Sequence, residues 1–178
     1  MKSIAKKVGT LAFLLTFFMG FSIFAQEEMD KDPSKLLDFW VGDWEASWDN
    51  GDGTIGHGTN KIERILDGTV IRENFEILDG QNKGFKGTSI SVYQARAKKW
   101  RQSWADNQGG FFCFNGDLEG DRKTFQTEIF ETKDGKKVTQ RMVFHNITED
   151  SMIWDWELSN DSGETWTLNW QINYKRKG

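Results

Sequence analysis

The sequence predicts an all-β protein, a ten-stranded antiparallel barrel of up-and-down connectivity with a short helix at its entry. Three observations lead there. No long stretch holds a helical period, short apolar/polar alternations recur along the chain, and Gly, Asp and Asn cluster between them. Strands joined in order by short turns make a meander, and closing the meander removes the edges that an open sheet would expose. A sandwich of two packed sheets is the competitor, but it asks for longer crossover connections than these turns provide.

The chain opens with a segment that does not read as part of the barrel. Lys2, Lys6 and Lys7 make a basic start, Val8 to Phe24 an apolar run, and Ala25 a small residue before the polar Gln26-Glu27-Glu28. This pattern is that of a cleaved secretory signal over residues 1–25, with Gln26 as the new terminus. A membrane anchor is the rival reading, but Gly9, Thr10, Thr16, Gly20 and Ser22 interrupt a run that barely reaches the roughly 20 apolar residues a span needs. No Cys stands near the cleavage position to take a lipid. The expectation is therefore an exported protein, periplasmic or extracellular, with no membrane anchor after cleavage. Residues 26–32 form a charged linker and residues 33–178 the barrel domain, a length that suits one domain.

Composition narrows the partners. The formal net charge of −4 becomes more negative once three lysines are removed with the signal. Nucleic acid, which is held through basic contacts to phosphate, is excluded as a partner on that ground. Cys113 is the only cysteine, so no internal disulfide braces the exported chain, and stability must come from sheet and core. Nine Trp and many of the 14 Phe require burial or a ligand.

Asp32 and Pro33 suit an N-cap and a first helical turn, so residues 34–40 can make about two turns before the first strand. Past Gly42, the residues Trp44, Ala46 and Trp48 share one face of that strand. Residues 49–53 faintly suggest a calcium loop, but they lack its alternating acidic ligands and closing Glu, and they read as a turn. The second strand covers residues 54–66 and the third residues 69–78, with Asp67-Gly68 as a two-residue hairpin turn between them. That turn pairs Leu66 with Thr69, Arg64 with Ile71, Ile62 with Glu73 and Asn60 with Phe75 on one face. Ile65 with Val70, Glu63 with Arg72 and Lys61 with Asn74 take the other. Ile62, Leu66, Ile71 and Phe75 mark the first face as interior. Arg64 and Glu73 lie on it as diagonal neighbours, either an ion pair that fixes register or a ligand anchor. Glu63 and Arg72 belong outside. Further strands follow at residues 85–93, 100–106, 111–118, 123–131, 137–147, 152–158 and 165–174.

Ser159-Asn160-Asp161-Ser162-Gly163-Glu164-Thr165-Trp166 fits the Asp-box pattern, in which Asp caps turn donors, Gly takes a left-handed position and Trp packs below. A single copy without repeats is a hairpin brace, since a propeller would need one copy per blade. Trp100, Gln102, Trp104 and Asp106 share a face of the fifth strand. Met152, Trp154, Trp156 and Leu158 do so on the ninth, and Trp166, Leu168, Trp170, Ile172 and Tyr174 on the tenth. These residues predict an interior ligand site formed by Arg64, Glu73, Gln102, Trp104, Trp154, Trp156 and Trp170. Its ligand is a small apolar or amphipathic molecule with a polar or anionic end. Arg176, at the parity of Trp170 and Tyr174, is expected to reach the Trp44 ring and close the barrel by a cation–π contact. His57 and His145 are the only histidines, too few with one cysteine for a His/Cys metal site. No nucleophile elbow, phosphate loop or dinucleotide fingerprint occurs. Two other readings stay open: an enzyme using Arg64, Glu73 or His145 in the cavity, and a barrel packed solid by its own indoles.

Gly42-Asp43-Trp44 after a short helix resembles the entry to the lipocalin (calycin) barrels, whose first strand opens with Gly-x-Trp. Further segments join it: Phe39-Trp40-Val41, Glu63-Arg64-Ile65-Leu66-Asp67-Gly68, Gly84-Phe85-Lys86-Gly87, Ser91-Val92-Tyr93, Lys99-Trp100-Arg101-Gln102 with Trp104 and Asp106, and Trp154-Asp155-Trp156-Glu157. Together they resemble a family of small bacterial domains of unknown function in the calycin class, over almost all of the chain that follows the signal. The resemblance implies a ten-stranded lipocalin-like barrel and no established reaction. A related barrel, nitrobindin, holds haem through a histidine near its C-terminus. Here the last strand and the tail through Gly178 contain none, so neither haem nor any other cofactor is expected.

Overall fold

A computed structural model describes residues 32–178. The expected signal and nearly all of the linker lie outside the described residues. Eleven strands follow one another: β1 (Gly42–Asp49), β2 (Ile55–Ile65), β3 (Val70–Ile77), β4 (Lys86–Gln94), β5 (Lys99–Asp106), β6 (Phe111–Asp117), β7 (Lys123–Thr127), β8 (Phe130–Glu131), β9 (Lys137–His145), β10 (Ser151–Ser159) and β11 (Thr167–Arg176). Each from β1 to β6 pairs antiparallel with the next, β7 pairs with β9, β9 with β10, β10 with β11, and β11 returns to β1. The result is a closed all-β barrel of ten strands, with β8 a two-residue addition beside β9.

The single seventh strand expected over residues 123–131 is in fact broken into β7 and β8. Between the pairs Gln126↔Arg141 and Phe130↔Val138 one chain advances four residues while its partner advances three. That extra residue is a bulge, which interrupts the ladder and turns the strand. A second irregularity lies between β10 and β11, where Trp156 faces Trp170 but Glu157 faces Leu168, so that Asn169 has no opposite residue. The bulge reverses the parity of β11. Trp170, Ile172 and Tyr174 point inward as expected, whereas Leu168 is half exposed and Trp166 stacks under Arg141 on the outer wall.

The β2–β3 hairpin has the expected register, from Asn60↔Phe75 through Ile62↔Glu73 and Arg64↔Ile71 to Ile65↔Val70. Asp67 and Gly68 both have positive φ, and Thr69 N–H bonds the Leu66 carbonyl at 3.2 Å, closing a two-residue turn. Asn60, Ile62, Ile71, Glu73 and Phe75 are buried, so this face is the interior. Glu63 and Arg72 pair on the outside at 2.8 Å. Leu66, expected inside, is 70% exposed, because it sits at the hairpin tip beyond the barrel rim.

One barrel end is plugged by the segment before β1. The expected short helix takes the form of two 3-10 turns, Pro33–Lys35 and Asp38–Trp40. A piece this short gains little from helical hydrogen bonds alone, so its shape follows its anchors. Trp100 Nε1 donates to the Pro33 carbonyl at 2.9 Å, and Leu37 and Trp40 are buried below. Trp40 packs edge-on against Phe144 at 5.2 Å, and Trp44 Nε1 donates to the Trp40 carbonyl at 2.8 Å. Arg176 locks the plug to the wall. Its Nη1 reaches the Val41 carbonyl at 2.8 Å, its Nη2 the Phe39 carbonyl at 3.2 Å and its Nε the Glu149 carbonyl at 2.8 Å. Gly42 leaves the space for this: a Cβ there would meet Arg176 Nη1 at 2.1 Å.

Candidate ligand site in the barrel

The fully buried core, including Leu37, Trp40, Trp44, Ile62, Ile71, Phe125 and Phe144, fills the plugged half. The other half is not filled. A cavity of about 190 Å³ remains below the turns that follow β3 and β5. The nine tryptophans divide accordingly. Trp40, Trp44, Trp48 and Trp100 belong to the core, Trp166 braces the Asp-box, and Trp104, Trp154, Trp156 and Trp170 are half-buried around the cavity.

Strand parity and ring packing set this aromatic wall. Trp154 and Trp156, two apart on β10, present parallel rings 6.2 Å between centres. Trp170 meets Trp154 edge-on at 5.8 Å, and Phe112 meets Trp156 edge-on at 5.7 Å. Across the mouth Trp104 stacks with Phe85 at 6.5 Å and lies on Gly87, where a Cβ would be 1.9 Å from the indole. Trp104 Nε1 donates to Asp106 at 3.1 Å. Asp106 also accepts the backbone N–H groups of Gln108 and Gly110 at 2.9 and 2.8 Å. Burial pushes its pKa up, but these donors outweigh it and hold the carboxyl below its ordinary range.

The floor is polar. Glu73, on β3, is 6% exposed and accepts from Ser89 Oγ at 2.6 Å and Asn60 Nδ2 at 2.7 Å. Asn60 Nδ2 also donates to the Tyr174 hydroxyl at 3.2 Å. Burial raises the Glu73 pKa to about 7, against the opposing pull of its two hydrogen bonds. Burial and the neighbouring Glu73 charge also raise that of Tyr174.

The structure therefore brings together Glu73, Trp104, Trp154, Trp156 and Trp170 of the expected site, and leaves out Arg64 and Gln102. Gln102 faces inward but lies deeper, its Nε2 donating to Ser91 Oγ at 2.8 Å while its Oε1 has no partner. Arg64 corrects the expectation more sharply. It does not pair with Glu73, and it turns toward the plugged end to bond the carbonyls of Ser34 and Gly68 and the Asp38 carboxylate. Among the described residues no Lys, Arg or His lines the cavity, so they supply no cation for an anionic ligand end. His145 is displaced as well. Met142 and Phe144 point inward on β9, which puts His145 on the outer face, bonded to Asp155 at 2.9 Å, and Asp155 in turn accepts Gln171 Nε2 at 2.8 Å. Arg64, Glu73 and His145 thus lie at three separate places and form no acid–base constellation.

Sequence reasoning missed Phe75, Phe85, Phe112, Phe114, Met142, Ile172 and Tyr174 as lining residues, and placed Asp106 only on the shared face of the fifth strand. The strand parity of Phe112, Phe114 and Met142 carried that signal, whereas Phe85 reaches the mouth from a turn. Among the described residues no group of three His, Cys, Asp or Glu could hold a metal ion.

A closed ten-strand antiparallel wall, a helical plug at one end and a cavity at the other define a calycin-like barrel. The chain belongs to the family described as "Protein of unknown function (DUF1579)", whose model matches residues 30–176. No functionally curated protein matches the chain.

Proposed function

We propose that the barrel binds a small, partly apolar molecule in its interior. The observation that carries this reading is the cavity of about 190 Å³ walled by four half-buried tryptophans over a buried carboxyl. A core that needed only to be stable would close such a space, because unfilled volume costs packing energy and half-buried indoles forgo part of their burial. The volume is below the range of drug-sized pockets and slightly above a cavity that takes up benzene, so the ligand is about one ring in size. Export of the protein, read from residues 1–25, belongs to the same proposal and sets the ligand's source outside the cytoplasm.

Titration of the protein with toluene and with benzyl alcohol, followed by tryptophan fluorescence, tests the reading. Saturable quenching that Trp156→Ala weakens supports it. A linear response without saturation for both probes leaves a barrel that holds no ligand of this size.

A further inference from the structure

We infer that the cavity selects a small organic cation, an alkyl- or arylammonium about one ring in size, held between the tryptophan faces and the Glu73 carboxylate. The inference deepens the ligand-binding proposal and rests on it. Its ground is the chemistry of the lining. Ring faces carry negative charge density, and a desolvated ammonium beside several of them is attracted by each. Trp104, Trp154, Trp156 and Trp170 surround the space, while the two ionisable acids that reach it are Glu73 at the floor and Asp106 at the mouth. Among the described residues no basic side chain lines it to oppose a cation or to attract an anion.

Hydrogen bonding points the same way. The donors near the floor, Ser89 Oγ and Asn60 Nδ2, are already used on Glu73 and Tyr174, and Asn60 Oδ1 has no partner. With Glu73 ionised, the floor is thus rich in acceptors and short of donors, with the Tyr174 hydroxyl proton as the remaining one. A guest that brings positive charge or N–H groups satisfies such a floor, whereas a carboxylate would face Glu73 at close range with no counter-charge. Burial alone keeps Glu73 protonated up to about pH 7, so cation binding is coupled to loss of that proton. The other titratable groups facing the cavity are Tyr174 on β11 and Asp106 on β5, and neither changes charge between weakly acidic and weakly basic pH.

Three probes of one ring each decide the matter by calorimetry on the full chain: benzyltrimethylammonium, benzyl alcohol and phenylacetate. At about pH 8 the ammonium is expected to bind about tenfold or more tighter than the alcohol, and the acid weakest, in line with a desolvated cation–π contact plus a counter-charge. Glu73→Gln, which keeps an amide able to accept one of the two hydrogen bonds, is expected to remove about tenfold of the ammonium affinity and to leave the alcohol within about twofold. Should that variant fail to fold, the wild type near pH 6 provides the same comparison, since protonation of Glu73 weakens the ammonium and spares the alcohol. Alcohol bound as tightly as the ammonium, or acid bound tighter, overturns the cation inference and leaves the ligand-binding reading intact. No saturable binding by any of the three overturns both.

Discussion

The Arg176 guanidinium lies 4.1 Å from the centre of the Trp44 ring, its partner across the β1–β11 pairing. The same guanidinium caps three carbonyls, at Phe39, Val41 and Glu149, so one side chain ties the plug, the first strand and the β9–β10 turn together. Arg176→Ala is expected to lower stability by about 2 to 4 kcal/mol, from the lost ring contact and the orphaned carbonyls. Arg176→Lys should recover only a minor part, because an ammonium cannot span the three acceptors. Denaturant unfolding of both variants checks this, and an Arg176→Ala protein as stable as wild type would remove the closing role.

Glu73 gives stability a pH dependence of known sign. Its folded pKa of about 7 stands above the ordinary 4.5, so the folded state holds the proton more tightly than the unfolded chain. Its contribution is therefore fully present below about pH 4.5 and is lost as pH rises through 7, on the order of 3 kcal/mol. Glu73→Gln is expected to gain on wild type between pH 4 and pH 8 by roughly that amount. Unfolding curves of the two proteins that stay parallel over this range would contradict it.

Gly87 sets the position of Trp104. A Cβ at residue 87 would stand 1.9 Å from the indole, which can yield only by moving off the wall and into the cavity. Gly87→Ala is expected to cost about 1 to 3 kcal/mol by overpacking. It should also weaken benzyl alcohol about tenfold or more, since the displaced ring takes the ligand's space. Near-UV dichroism shows whether Trp104 has moved, and unchanged affinity with unchanged dichroism would refute the assignment.

Arg64 serves the plug and not the cavity. Arg64→Ala is expected to lower stability by about 1 to 3 kcal/mol through loss of the Asp38 ion pair and the bonds to Ser34 and Gly68. The ratio of phenylacetate to benzyl alcohol affinity should not change. A selective loss of the acid would return Arg64 to the ligand site.

Cleavage after Ala25 is expected on export, with Gln26 as the first residue of the mature chain. Edman sequencing of protein recovered outside the cytoplasm checks it, and an intact Met1 there would rule the cleavage out.

Local chemistry was enough to read most of the wall from the chain. The Asp67-Gly68 turn sets the β2–β3 register, because a two-residue hairpin leaves one pairing and a period of two then assigns every side chain to a face. The Asp-box is similarly self-contained. Asp161 accepts from Ser159 Oγ at 2.6 Å and Thr165 N–H at 2.9 Å within eight residues, so its pKa falls to about 2 whatever lies beyond. The inward tryptophans of β5 and β10 follow from alternation alone, as does the meeting of Arg176 with Trp44 once the barrel closes.

What alternation cannot foresee is a residue that breaks it or a side chain that leaves its own face. Asn169 adds one residue to β11 and sends Trp166 and Leu168 outward, because the choice of bulge depends on how β10 and β11 fit together around the Asp-box. Arg64 has the parity of an interior residue, but its long side chain finds Asp38 and Ser34, which come within reach only when the plug folds back over the barrel end. That distant contact removes the one cation assigned to the cavity and leaves Glu73 and Asp106 as its ionisable acids. The charge character of the site, unlike the strands that build it, was therefore decided by contacts between segments far apart in sequence.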